Sequence, residues 1–192
     1  ASSSVVAVSD QVVAAAEQGD EAEVLAWLDG GGRTDATYER GEVSGITLLM
    51  GAAFYGQERV VELLLQHGAE INLRDRNGWT ALMYAAENGL EQVVDLLIQR
   101  GAEVNLQNSA GHTTLVFAAI NGHERVVELL MRRGAEVNLQ DSGGIAALMY
   151  AAFFNHPAVV RRLLRAGADA ARIGDGKTAL EWAEEKGHAE CV

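Results

Sequence analysis

A short stretch near the end of the chain, GDGKT at positions 174–178, finishes with the Gly-Lys-Thr of a phosphate-binding loop. In such a loop the backbone N–H groups bind the phosphates, and a further glycine stands five positions before the glycine that precedes the lysine. Here that position is Ala171, and no strand is predicted ahead of the stretch. We therefore interpret Gly176, Lys177 and Thr178 as an ordinary turn that leads into a helix, and we predict no nucleotide site.

The histidines and the cysteine offer no better site. Histidines stand at positions 67, 112, 123, 156 and 188, and no two share the i, i+3 or i+4 spacing with which a helix presents a metal. His123 and His188 occupy the same place after a glycine, where a side chain bonded to backbone is expected. Cys191 is the single cysteine, and no base stands near it in the sequence. The sequence predicts no metal, no cofactor and no catalytic residue.

The composition favours helices with small, closely packed side chains. Of the 192 residues, 48% are hydrophobic but only 6% are aromatic. The net charge of −12 opposes binding to nucleic acid, which needs phosphate-neutralising Lys and Arg. The carboxylates fall mainly on helix faces and turn ends, as on a solvated surface. Such a charge attracts basic protein surfaces, mainly by speeding their association.

Nothing in the chain predicts contact with a membrane. No apolar run approaches the roughly 20 residues that a membrane-spanning helix requires, and no signal peptide is evident. A single cysteine cannot form an intramolecular disulfide, so no oxidising compartment is implied. These features slightly favour a cytoplasmic location. Because the chain begins with Ala1, the alternative of an exported protein whose leader has been cleaved is kept as well.

Glycines recur along the chain at a nearly constant period. One series stands at positions 45, 78, 111, 144 and 176, with steps of 33, 33, 33 and 32 residues, and a second at 68, 101, 134 and 167. A period of this size is typical of a solenoid. In the clearest unit, residues 75–107, a turn is followed by a short helix, a glycine, a second helix and another glycine. Thr80 is placed to cap the first helix, and Leu82, Ala85 and Ala86 form its apolar stripe.

These units resemble ankyrin repeats, which read roughly D-x-x-G-x-T-P-L-H-x-A-A-x-x-G, then a V-V-x-L-L-L helix and G-A-x-V-N. The matching segments are GITLLMGAA from Gly45, GWTALMYAA from Gly78, GHTTLVFAA from Gly111, GIAALMYAA from Gly144 and GKTALEWAE from Gly176. The resemblance covers residues 9–192, after an N-terminal tail of residues 1–8. It implies a single all-α domain, a solenoid of stacked helix-turn-helix units with projecting turns. About five full units with partial end units are expected, at about 9–37, 42–74, 75–107, 108–140, 141–173 and 174–192.

Three departures from the repeat predict local differences. The stretch 35–45 is four residues longer than its counterparts, and we expect this expansion to support partner binding but not to be needed for stacking. Ala146 replaces the threonine that caps the first helix in the sibling units. Asn155 replaces the glycine between the helices and is expected to take the left-handed conformation, with Pro157 opening the next helix.

The resemblance implies that a partner contacts two kinds of position that packing leaves free. One is the turn tip after the first glycine: Ile46, Trp79, His112 and Ile145. The other is the pair that follows the Ala-Ala of the first helix: Phe54 and Tyr55, Glu87 and Asn88, Ile120 and Asn121, Phe153 and Phe154. Large aromatic residues are enriched at interface hot spots, so we predict that Trp79, Phe153 and Phe154 contact a partner. A further series of rings is predicted to pack between repeats: Tyr84, Phe117, Tyr150 and Trp182.

The sequence thus predicts a non-enzymatic module, monomeric by itself, that binds another protein through its concave face and turn tips. The expected partner has a basic and partly apolar epitope, and a role as an inhibitor that occludes the partner's active site fits the same features. A recognition domain of a larger scaffold or signalling protein, or an engineered binder, also fits. An enzyme or a small-ligand protein is the least favoured alternative, and a metal or nucleotide bound to the purified protein would establish it.

Overall fold

The structure, a computed structural model, describes residues 8–192, so most of the predicted tail lies outside the described residues. The chain divides into two compact units. The first consists of the residues up to Ala85 together with Gln92–Ala102. The second consists of Ala86–Glu91 together with Glu103–Val192. Each unit is built from short helices joined by glycine-containing turns.

The described residues form eleven α-helices and one two-stranded sheet. The first unit holds α1 (Asp10–Gln18), α2 (Glu21–Asp29), β1 (Thr37–Arg40), β2 (Val43–Thr47), α3 (Leu48–Phe54) and α4 (Glu58–Gln66). The helices α5 (Ala81–Glu87) and α6 (Glu91–Gln99) are divided between the units. The second unit holds α7 (Thr114–Ile120), α8 (Glu124–Arg132), α9 (Ala147–Phe153), α10 (Pro157–Arg165) and α11 (Ala179–Lys186), then a 3-10 turn at Ala189–Cys191. The fold is therefore the mostly helical repeat that the sequence predicts.

Small and branched apolar side chains fill the core of each unit. The Ala-Ala pairs of the first helices, such as 52–53 on α3 and 118–119 on α7, are fully buried and let neighbouring helices approach closely. Each second helix turns one apolar stripe inwards, as Val60, Val61 and Leu64 do on α4. None of the described helices has both the length and the hydropathy to cross a membrane.

Capping residues set where the first helices begin and end. The hydroxyl of Thr47 accepts a hydrogen bond from the backbone N–H of Met50 at 3.3 Å, and Thr113 caps α7 in the same way. Ala146 has the same extended backbone at the start of α9 but offers no side-chain oxygen. Asn155 follows α9 with the predicted left-handed backbone, at a φ of 61°. The repeat geometry is thus kept where the sequence departs from it.

Histidines tie the start of a second helix to the first helix of the preceding repeat. In the second unit, His123 Nε2 lies 2.8 Å from the carbonyl oxygen of Glu87. Likewise His188 Nδ1 lies 3.0 Å from the carbonyl oxygen of Ala152. The predicted bonding of these histidines to backbone is confirmed. In the described part of the chain no three His, Cys, Asp or Glu residues are grouped to hold a metal.

The expansion at 35–45 folds into a β-hairpin, which the all-α prediction does not include. Strands β1 and β2 are antiparallel, with Tyr38 opposite Ile46. The Tyr38 ring lies against α3, where a Cβ added to Gly51 would come within 2.4 Å of the Tyr38 hydroxyl oxygen. Gly51 holds the position at which Tyr84 and its counterparts carry a ring. Tyr38 therefore supplies, from the hairpin, the ring that this repeat lacks.

The hairpin also contacts α1. The Tyr38 hydroxyl donates to Glu17 Oε1 at 3.3 Å, and Arg40 Nη1 donates to the same oxygen at 2.8 Å. Burial, and then the Glu17 carboxylate, raise the pKa of Tyr38 above its ordinary value. The expansion thus contributes packing contacts within the first unit, and the expectation that stacking does not need it stays a prediction about a shortened chain.

Candidate protein-binding surface

The tip residues Trp79 and His112 turn their rings onto the first helix of their own repeat. The Trp79 ring centroid lies 5.0 Å from that of Tyr84. The His112 ring centroid lies 5.5 Å from that of Phe117. Both tip side chains are partly buried, so each packs within the chain and keeps only part of its surface for a partner.

The other two predicted tips are isoleucines. Ile46 lies in strand β2 of the hairpin, next to α3, and is only 7% exposed. It therefore offers almost no surface to a partner. Ile145 is partly buried at the turn before α9. The turn tips are therefore not equivalent, and the two isoleucines reach less far than the two rings.

An aromatic cluster stands at the end of α3 in the first unit. The Phe54 and Tyr55 ring centroids are 4.9 Å apart in an edge-to-face arrangement, and Phe54 lies 6.0 Å from Tyr84. The Arg40 guanidinium lies over the Tyr55 ring, 5.2 Å from its centroid, which is a favourable cation–π geometry. Tyr55 still keeps 40% of its surface exposed. A cavity of about 350 Å³ opens between this cluster and the hairpin residue Tyr38.

A matching cluster stands at the end of α9 in the second unit. The Phe153 and Phe154 ring centroids are 4.9 Å apart, again edge to face, and Phe153 lies 5.3 Å from Trp182. The Lys186 ammonium lies 4.5 Å from the Phe153 centroid. Phe153 is therefore partly buried, whereas Phe154 is 44% exposed. A cavity of about 170 Å³ opens beside these rings, with Asp175 in its wall.

The same helix-end positions are mostly polar in the two central repeats. Glu87 is partly buried, and burial raises the pKa of its carboxyl. Asn88 and Asn121 are exposed, and the Asn121 amide donates to the carbonyl oxygen of Phe117 at 3.1 Å. Ile120 is partly buried. Large exposed rings at this position therefore occur only at Tyr55 and Phe154 among the four predicted pairs.

A hydrogen bond between a carboxylate and a tyrosine recurs below the turn tips. Asp75 Oδ2 accepts from the Tyr84 hydroxyl at 2.6 Å, and Asp141 Oδ2 accepts from the Tyr150 hydroxyl at 2.6 Å. His112 Nε2 joins the second network, 3.2 Å from Asp141 Oδ2.

The Asp141 network fixes a turn and does not resemble a catalytic group. Burial alone would raise the pKa of Asp141, but hydrogen bonds from Tyr150 and from the backbone of Ile145 and Gly143, with the nearby His112, lower it. Burial, and then Asp141, raise the pKa of Tyr150. Asp141 thus accepts hydrogen bonds from Tyr150, Ile145 and Gly143, and these bonds hold the turn before α9.

Two residues of the expansion belong to the candidate surface, although the sequence predicts only that the stretch as a whole supports partner binding. Tyr38 and Arg40 line the larger cavity from the hairpin. A signal for them was present, because Gly51 interrupts a series of rings that is otherwise regular. A missing ring beside an expanded turn that contains a tyrosine indicates that the turn supplies the ring.

Helix pairs that repeat with constant spacing, with rings gathered at the ends of first helices, define a helical repeat protein. A family model described as ankyrin repeats, three copies, matches residues 12–108, 91–174 and 115–192. The chain belongs to the ankyrin-repeat family, whose repeats are generally non-enzymatic modules for protein–protein interaction. A comparison with curated proteins found no match.

Proposed function

We propose that this protein binds a partner protein through the ends of its first helices, with Tyr55 and Phe154 as the principal apolar contacts. The observation that carries the proposal is their exposure. Both are large aromatic side chains at equivalent positions, and they keep 40% and 44% of their surface in solvent. Rings of this size dominate interface energetics when a partner covers them. Their partly buried neighbours Phe54 and Phe153 pack against them edge to face.

The charge of the chain specifies the partner further. With a net charge of −12, the protein attracts a surface that carries Lys and Arg around an apolar centre. The exposed rings then contribute affinity, and the carboxylates contribute rate and selectivity. The proposed partner is therefore a protein with a basic and partly apolar epitope. A role as an inhibitor of that partner depends on where the epitope lies, which capture of the partner would reveal.

The test combines capture with one pair of substitutions. The partner is isolated by affinity capture from the native source, identified by mass spectrometry, produced pure and titrated against the protein. Phe154→Ala should change the free energy of unfolding by no more than about 1 kcal/mol, because an exposed ring loses little packing. The same change should weaken binding by about thirtyfold, or about 2 kcal/mol.

Leu164 provides the matched control. It is a comparably exposed apolar residue, at 43%, but it lies on the second helix α10. Leu164→Ala should leave the affinity within about twofold of the original, since Leu164 lies on a second helix and not at the end of a first helix. The proposal is wrong if Phe154→Ala binds as well as the unaltered protein, or if both substitutions weaken binding equally.

A further inference from the structure

The two apolar cavities lie at the same place in their repeats. Ile46 and Met50 line the larger cavity, in the first unit. Ile145 and Met149, each 99 positions later, line the smaller cavity, in the second unit. In both cavities the remaining wall is mostly aromatic. The chain therefore builds the same kind of pocket twice, three repeats apart in sequence.

The chain itself shows what fills this place in the central repeats. The tip position that holds Ile46 and Ile145 beside the cavities holds Trp79 and His112 in the repeats between them. Those two tip rings pack onto the ring of their own first helix, as Trp79 does on Tyr84 at 5.0 Å. An isoleucine is too short to cover the same surface. The pockets thus lie where a tip ring is replaced by a smaller side chain.

We propose that each pocket accepts one aromatic side chain of a partner segment, which takes the place that a tip ring fills in the central repeats. This inference rests on the proposed function and names the chemistry of the partner. The walls favour a ring, because edge-to-face contacts with Phe54 and Tyr84 in one pocket, and with Phe153 and Trp182 in the other, add to the area buried.

Charge selects the residues that flank this ring. Arg40 in the wall of the larger pocket already pairs with Glu17, and Lys177 near the smaller one pairs with Glu185. Asp175 is the charged residue that lines the smaller pocket. Asp175 in the smaller pocket and the net charge of −12 around both pockets favour a ring between Lys or Arg residues, and Glu17 offsets the positive charge of Arg40 in the larger one. They disfavour a second copy of the chain, which would bring the same negative charge.

Short synthetic peptides test the occupant directly. The probe is Ac-Lys-Trp-Lys-NH₂, titrated into the full chain with ¹³C-labelled methionine methyl groups and followed by NMR. Met50 and Met149, one in each pocket, should show saturable shifts in the range of about 1 mM, since one side chain supplies only a few kcal/mol. Ac-Lys-Ala-Lys-NH₂ should cause no saturable shift, and Ac-Glu-Trp-Glu-NH₂ should bind at least about threefold more weakly. If the alanine peptide binds as well as the lysine–tryptophan peptide, the pocket does not select a ring. If the glutamate peptide binds as well, the pocket does not select a basic flank.

A ring grafted from the central repeats provides the matched variant. Ile145→Trp places at this tip the residue found at Trp79, and it should abolish the response of Met149 while Met50 responds as before. Ile145→His, which copies His112, should do the same and serves if the tryptophan variant does not fold. A Met149 response that persists in the folded variant overturns the proposal.

The outcomes also separate this inference from the proposed function. If the captured partner depends on Phe154 but the tryptophan peptide binds neither pocket, the protein-binding role stands and the occupant is wrong. If the peptide shifts Met149 but Phe154→Ala leaves the affinity for the partner unchanged, the pocket accepts a ring and the proposed binding surface is wrong.

Discussion

Single residues that break the repeat show which positions are constrained by geometry and which are constrained by chemistry. Asn155 keeps the left-handed backbone that its sibling glycines have, since Asn adopts this conformation at modest cost. Ala146 keeps the extended backbone of a helix cap but has lost the oxygen that makes capping favourable. The sequence predicts both outcomes, because backbone geometry at a repeat position follows from its siblings.

The missing cap at Ala146 leads to a prediction about stability. Thr47 and Thr113 accept a hydrogen bond from the third helical N–H at 3.3 Å from an equally buried site, so a threonine fits this position. Ala146→Thr should therefore raise the free energy of unfolding by about 1 kcal/mol, measured by urea denaturation. Ala146→Val, which has the shape of threonine without the oxygen, is the control and should not stabilise. Equal effects of the two substitutions would contradict the capping explanation.

Among the elements, the hairpin is the one that periodicity alone does not predict. Its strands have four and five residues, and their alternation is too short to distinguish from a loop. The hairpin is held by a contact outside its own strands, because Tyr38 occupies the space over Gly51 where the other repeats carry a ring. The position of one side chain from a distant turn depends on tertiary packing, which a repeat pattern does not encode.

Because Tyr38 lies where a ring at position 51 would lie, the effects of substitutions at these two positions on stability should be coupled. Tyr38→Ala should cost about 2–4 kcal/mol by leaving a cavity over α3. Gly51→Tyr should also destabilise, because its Cβ would meet the Tyr38 hydroxyl oxygen at 2.4 Å. The double variant restores the arrangement seen at Tyr84, so it should be more stable than the sum of the single effects by at least about 1 kcal/mol. Additive effects in urea denaturation would show that Tyr38 does not occupy the place of the missing ring.

At the scale of the whole molecule, the sequence predicts the class of fold better than it predicts the surface. A period of 33 residues with fixed glycines and buried Ala-Ala pairs leaves few alternatives to stacked helix pairs. Exposure is different, since it depends on what neighbours cover. Phe153 and Phe154 are adjacent and alike in type, yet Trp182 and Lys186 cover only the first. Ile46, a predicted contact, is buried because it lies in β2 of the hairpin, opposite Tyr38 of β1.

The net charge of −12 gives the whole molecule a response to salt that differs in sign between folding and binding. Like charges on the folded chain repel, and several of the described ion pairs, such as Arg59–Glu21 and Arg125–Glu91, lie at exposed sites, where each contributes little. Raising NaCl from about 20 mM to about 300 mM should therefore raise the midpoint of thermal unfolding by about 2–4 °C, which corresponds to about 1 kcal/mol.

The affinity for a basic partner should fall over the same range of salt concentration, because screening removes the attraction. Exchanging the exposed Asp29, Glu184 and Glu190 for Lys changes the net charge from −12 to −6. The effect of salt on binding, which scales with the charge, should fall to about half, and the effect on unfolding, which scales with its square, to about a quarter. Scanning calorimetry and titration at matched salt concentrations would measure the two responses. A protein that loses stability as salt rises would show that its ion pairs outweigh the repulsion among its carboxylates.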